Sequence, residues 1–259
     1  MIKVTNVWHH YSIRPVLRDV SMEVAAGELV AVMGPNGMGK STLLGVIGGV
    51  LCPIKGSVEI DGRVRRSSPE NEIAIRKQVV YLPDNPYLPQ VSTGREFLLA
   101  VGRLYEVEEQ RLMEHMELLL QLFDLTEQAD RPVRSYSTGQ RKKIGLCSAL
   151  LTDASVLVLD EPFSGGLDSS ALVAMTRVLK SLADRKDVTV VMAVPVPELV
   201  ESVAHRVAIV ERGKILAYDT PEGLRKKAGV TGDLSEVLEK LLHPEIFKKI
   251  DVYLGGRRS

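Results

Sequence analysis

The chain has 259 residues, 45% of them hydrophobic, enough to fill the core of one large α/β domain or of a domain with a subdomain. Its 33 basic and 33 acidic residues cancel, so no global charge points to nucleic acid, and Cys52 and Cys147 are too few for a disulfide framework and suit a reducing compartment. No stretch approaches the roughly 18–20 apolar residues that cross a bilayer, and residues 1–20 lack the apolar centre of a signal peptide; work at a membrane would need another chain to cross it.

In chain order, residues 2–7 and 17–24 alternate apolar and polar side chains, the pattern of antiparallel strands. Residues 28–33 form an apolar run that feeds Gly34-Pro35-Asn36-Gly37-Met38-Gly39-Lys40-Ser41, a fit to G-x-x-x-x-G-K-[ST]. Gly34, Gly37 and Gly39 permit backbone conformations that turn successive N–H groups inward around phosphates. Lys40 is expected to bridge the outer phosphates and Ser41 to offer its hydroxyl to Mg²⁺. From Thr42 to about residue 50 the chain continues as a helix whose dipole faces the anion. This strand–loop–helix pattern predicts nucleoside triphosphate binding.

Residues 56–62 repeat the alternating pattern between glycine turns. Residues 78–82, 155–159, 188–194 and 206–210 are short, mostly valine-rich runs suited to buried parallel strands. The stretch 84–134 differs, because Leu112, Met116, Leu119, Leu120 and Phe123 recur at helical spacing; it reads as a helical insertion whose apolar stripe packs in the core. After Thr220-Pro221 the strand signals stop, and residues 222–249 read as one to three short helices. The clusters Arg225-Lys226-Lys227 and Arg257-Arg258 read as solvated surface.

The run 156–159 ends in Asp160 and Glu161, two carboxylates at the C-terminal edge of a parallel strand, where ligands bind in such sheets. One can hold the hydration shell of Mg²⁺ while its neighbour accepts a proton from an attacking water.

With these motifs in place, the chain resembles the ATP-binding subunit of an ABC transporter over nearly its whole length. Tyr136-Ser137-Thr138-Gly139-Gln140 is similar to the family's signature motif, usually Leu-Ser-Gly-Gly-Gln. The resemblance implies that Ser137, Gly139 and Gln140 face the γ-phosphate of ATP on an opposing subunit, in a head-to-tail dimer. It also implies adenine stacking on Tyr11, which by itself reads rather as an ordinary strand-end tyrosine. Asp160 and Glu161 match the Mg²⁺-associated aspartate and the catalytic glutamate, and Asp168 the aspartate of the loop that contacts the partner subunit. Residues 81–86 and 232–241 are similar to the separately encoded ATPases of the ABC-2 exporter type.

The implied fold is α/β, a P-loop NTPase (RecA-like) core with a mostly parallel sheet, an N-terminal antiparallel β subdomain and a helical insertion. Residues 1–83 and 135–220 are expected to form the ATP-binding core, 84–134 the helical subdomain and 221–259 a C-terminal helical appendage. The expected partners are a transmembrane permease docked near residues 84–90 and a second ABC ATPase, identical or not, with no nucleic acid. The expected location is the cytoplasmic face of the cell membrane, with ATP and Mg²⁺ bound.

Three departures from the family pattern stand out. Asp84 occupies the position of a glutamine that ligates Mg²⁺ and senses the γ-phosphate; a carboxylate is a good hard-cation ligand, but Asp84 can equally cap the segment that follows. Pro195 occupies the position of the switch histidine and offers neither an N–H nor a polar side chain. His205 is too far along the chain to replace it, and His9, His10, His115 and His243 have no motif context. The stretch Ser164-Gly165-Gly166-Leu167-Asp168 carries one extra residue, which two glycines can absorb as a bulge. Slow hydrolysis is therefore expected. The alternatives are a nucleotide-binding regulatory subunit acting in a heterodimer, favoured by Pro195, and an ABC ATPase not coupled to transport.

Overall fold

The computed structural model describes residues 1–242 and 252–253. Two antiparallel strands, β1 (Ile2–His9) and β2 (Leu17–Val24), bury alternate side chains, as their sequence pattern requires. Next come β3 (Leu29–Met33), α1 (Lys40–Gly48), β4 (Lys55–Ile60) and β5 (Arg63–Val64). β4 and β5 extend the first pair into an antiparallel sheet of order β2-β1-β4-β5. Helix α2 (Pro69–Gln78) starts at the Ser68 cap with proline in its first turn, and it leads into β6 (Val79–Leu82).

The stretch that follows contains α3 (Gly94–Leu104) and α4 (Glu109–Leu122). α3 opens with a reciprocal capping box between Thr93 and Glu96. Leu112, Met116, Leu119, Leu120 and Phe123 are all buried, which the helical spacing foretold. The chain continues through α5 (Thr138–Leu150), β7 (Val156–Asp160), α6 (Ser169–Arg185), β8 (Thr189–Ala193) and α7 (Pro197–Val203). It closes with β9 (Arg206–Glu211), β10 (Lys214–Asp219), α8 (Pro221–Ala228) and α9 (Leu234–Leu242). Of the expected appendage beyond residue 242 only residues 252–253 are described, and His243 and the Arg257-Arg258 pair lie outside the described residues.

The second sheet has the order β10-β9-β3-β8-β7-β6 and is parallel except for β10. β10 adds to the strands read from sequence. It folds back on β9 through Arg212 and Gly213, whose φ values of 47° and 77° are those a two-residue hairpin needs. β3, β7 and β8 are buried on both faces. Leu29, Ala31 and Met33 join the core shared with α3 to α6, while Val30 and Val32 join the core under α1 and the antiparallel sheet. The register aligns Leu82 with Leu159, Asp160 with Ala193 and Val32 with Ala193, so the chain segments after β6, β7, β8 and β3 leave the sheet along one edge.

Phe123 is 1% exposed in the core that joins the helical stretch to the sheet. Phe123→Ala is expected to lower the free energy of unfolding by about 3–5 kcal/mol, measured by denaturant titration.

Candidate active site

At the end of β3 the chain must turn sharply into α1, and the glycines set how. Gly34 has φ 143°, and a Cβ there would lie 2.1 Å from the Val210 carbonyl oxygen. Gly37, at φ 77°, has nothing within 4 Å of that position, so the loop leaves open space there. Gly39, at φ 104°, precedes α1 with no side-chain cap, and no acid stands in the helix's first turn. The N–H groups at this helix start are thus left for an anion. Lys40 is buried, and its Nζ donates to the carbonyls of Gly34 (2.8 Å) and Pro35 (3.1 Å). Gly213 donates its N–H to the Met38 carbonyl (3.1 Å), so the β9–β10 turn buttresses the loop. Asn36 and Ser41 are exposed on it, and Thr42 is buried below. Tyr11, 65% exposed, reaches over α1 with its hydroxyl 3.3 Å from Thr42 Oγ1, and His9 packs edge-on against its ring.

Asp160 ends β7 buried, and its Oδ1 has no hydrogen-bond partner among the described residues. Burial pushes its carboxyl above the ordinary value; the Asp84 charge adds to this, while Ser41, Lys142 and Lys40 pull it back. A buried, unpaired carboxylate oxygen beside a serine hydroxyl is the donor set a hard divalent cation takes, so these residues fit Mg²⁺. Burial lowers the Lys40 ammonium, opposed by the charges of Glu161 and Asp160. Glu161 is half-buried at φ 47°, with its N–H bonded to the Ala193 carbonyl at 3.0 Å. Left-handed backbone at a non-glycine residue is costly, and here it breaks the alternation of the strand just where the two acids follow each other.

Ser137 caps α5 and accepts the Gln140 N–H, while the Gln140 side chain accepts the Ser137 N–H. A polar cavity of about 410 Å³ opens over Ser137, Gly139 and Gln140, with Lys143, Gly166 and Asp168 on its walls. Gly165 and Gly166, expected to absorb an extra residue, stand at φ 81° and 77°, and a Cβ on Gly139 would come within 2.6 Å of the Gly166 carbonyl oxygen. Asp168, expected to face a partner subunit, is engaged within the chain. It caps α6 through the Ala171 N–H (2.8 Å) and pairs with buried Lys143 at 2.6 Å. That pairing holds its carboxyl far below the usual range.

Asp84, read as a Mg²⁺ ligand, lies near Asp160 but is committed to protein groups. Its Oδ1 accepts from Lys142 Nζ (3.1 Å) and Ser164 Oγ (2.5 Å), and its Oδ2 from Asn85 (3.1 Å). Burial disfavours this carboxylate, yet the bonds from Ser164 and Lys142 prevail and hold it below its ordinary value. Pro195 lies exposed after β8 and shares a small cavity with Gly34, Pro35 and α9. His205 is structural, its Nδ1 accepting the Leu29 N–H at 2.9 Å.

A family model described as ABC transporter matches residues 17–164. The chain belongs to that family. It is 31% identical to the daunorubicin resistance ATP-binding protein DrrA3 of Streptomyces coeruleorubidus, over 92% of this chain and 73% of the relative. It is equally 31% identical to the Nod factor export ATP-binding protein I of Rhizobium meliloti, over 86% of this chain and 65% of that protein. A solved ATP-binding subunit of an ABC transporter superposes with a TM-score of 0.86 at 27% identity, covering 93% of this chain and 99% of that one. A dimeric ATP-binding cassette bound to ADP and Pi, at 24% identity and a TM-score of 0.74 over 85% of this chain and 98% of its own, shares the fold. The chain is an ATP-binding subunit of an ABC transporter and an ATPase of that family.

Within this ABC subunit, sequence reasoning passed over Lys142, Lys143 and Ser164. The lysines follow Arg141 in a run of three cations near a helix start, and both are buried.

Because folding raises the Asp160 carboxyl, its charged form destabilises the nucleotide-free protein at neutral pH, and that cost disappears as pH falls toward the ordinary value of 3.8. Asp160→Asn is therefore expected to raise the thermal midpoint at pH 7, with a smaller gain near pH 4. Thermal unfolding at the two pH values checks this.

Proposed function

We propose that this subunit powers export, or a related transport step, through a separate membrane permease at the cytoplasmic face of the cell membrane. The observation that carries the catalytic part is the convergence of the Lys40 ammonium with Ser41, Asp160 and Glu161 at an uncapped helix start. The loop Gly34 to Thr42 cradles the phosphates of ATP, Lys40 neutralises the outer ones, and Tyr11 offers its exposed ring to adenine. Ser41 and Asp160 hold Mg²⁺, which when bound neutralises charge on the phosphate oxygens. Glu161 accepts the proton of the attacking water.

Ser137, Gly139 and Gln140 close the site from a second subunit, and the polar cavity above them is the room for that phosphate. Residues 84–134 move as a helical unit against the core of 1–83 and 135–220, with 221–259 as an appendage, and transmit closure to a permease near residues 84–90. The two relatives, a daunorubicin resistance protein and a Nod factor export protein, favour the outward direction. Pro195 beside the phosphate loop favours one second reading, a slow subunit that pairs with a different, intact ATPase.

Sedimentation of Glu161→Gln with and without ATP separates the two. A shift from monomer to dimer on adding ATP is the expected result, whereas a chain that binds ATP and stays monomeric belongs to a mixed pair.

A further inference from the structure

The carboxylates of Asp84, Asp160 and Glu161 gather at the edge where a triphosphate is to bind. Such a cluster repels a polyanion unless cations balance it. Lys40 is one cation, and Lys142 is another. The Lys142 side chain is 3% exposed, and its Nζ donates to both the Asp84 carbonyl (2.9 Å) and the Asp84 carboxylate (3.1 Å). Its stem lies beneath Gly165, whose Cβ position is 3.5 Å from Lys142 Cδ. The Ser164 hydroxyl stands between Asp84 Oδ1 (2.5 Å) and the main-chain carbonyl of Glu161 (2.9 Å), and the Ser164 N–H also bonds that carbonyl (3.0 Å). A line of contacts therefore runs from α5 through Asp84 and Ser164 to the backbone of the proton acceptor.

We propose that Lys142 is a charge-balancing and positioning residue of the nucleotide site. Paired with Asp84 it forms a net-neutral unit, which spares the incoming triphosphate a negative charge and fixes Ser164 against Glu161. Burial of the Lys142 end makes the pair matter. In water two such charges would be screened, but at the low effective dielectric of a half-buried site an unpaired carboxylate acts strongly on phosphate several ångströms away. Lys142 is the buried member, so removing Asp84 alone leaves an uncompensated buried ammonium, while removing Lys142 alone leaves the carboxylate of Asp84, 39% exposed, unpaired beside the phosphates.

The inference rests on ATP occupying the phosphate loop, and the test reads that separately. The probe is trinitrophenyl-ATP, its affinity measured by fluorescence first in EDTA and then in Mg²⁺; probe binding by the parent chain, abolished in Lys40→Ala, reports on the phosphate loop alone. In EDTA, Lys142→Met is expected to weaken the probe about 10-fold, Lys142→Arg to keep parent affinity, and Asp84→Asn to bind at least as tightly as the parent. The double variant Asp84→Asn/Lys142→Met is expected to return within about 2-fold of the parent, since it removes both charges together. It also serves if Lys142→Met alone fails to fold. A double variant as weak as Lys142→Met, or unchanged affinity in Lys142→Met, overturns the proposal. So does an Asp84→Asn chain that binds the probe more weakly than the parent in EDTA.

Discussion

The Val210 carbonyl oxygen lies 2.1 Å from where Gly34 would carry a Cβ, and the site depends on that close approach. Only glycine lets the chain leave β3 with φ 143° and pass under β9 into the phosphate loop. Any side chain at Gly34 would push the loop away from β9, and with it the carbonyls that hold the Lys40 ammonium. The β9–β10 turn reinforces the same geometry through Gly213 and Met38. The hairpin at the sheet's far end is thereby part of the scaffold for the anion cradle, although it contributes no group to the chemistry.

Helix α5 organises the other half of the site. Its capping residue Ser137 belongs to the signature segment, Lys142 on its buried side holds Asp84, and Lys143 holds Asp168. One rigid element thus ties the loop after β6, the loop after Glu161 and the start of α6 to a common frame. Gly165 and Gly166 fit this frame because left-handed glycines let the backbone fold against Gly139 and over the stem of Lys142. Asp168, its side chain still 54% exposed, is held by the same arrangement, so a contact across a dimer would have to compete with a buried lysine and a helix cap.

What could be read from the sequence was local. The phosphate loop announces itself in eight consecutive residues, and Asp160 and Glu161 follow directly on a run of apolar strand residues. The parallel strands were legible for the same reason, since burial on both faces leaves an unbroken apolar run. β10 was not, because its edge position leaves Leu216 partly exposed and blurs the alternation. The pairing of Asp84 with Lys142 spans 58 residues and needs the fold to bring it about. Asp84 alone suggested a cation ligand; the lysine that meets it lies in a run of three basic residues, and only the fold shows that it is buried.

Steady-state ATP hydrolysis by the purified chain in Mg²⁺, with Glu161→Gln as the blank and ATP binding followed in parallel, tests the central claim that these residues form a working site. The account predicts slow but measurable turnover that falls at least about 10²-fold in the variant while ATP binding persists. Turnover that survives in Glu161→Gln, or a chain that binds no ATP at all, would contradict it.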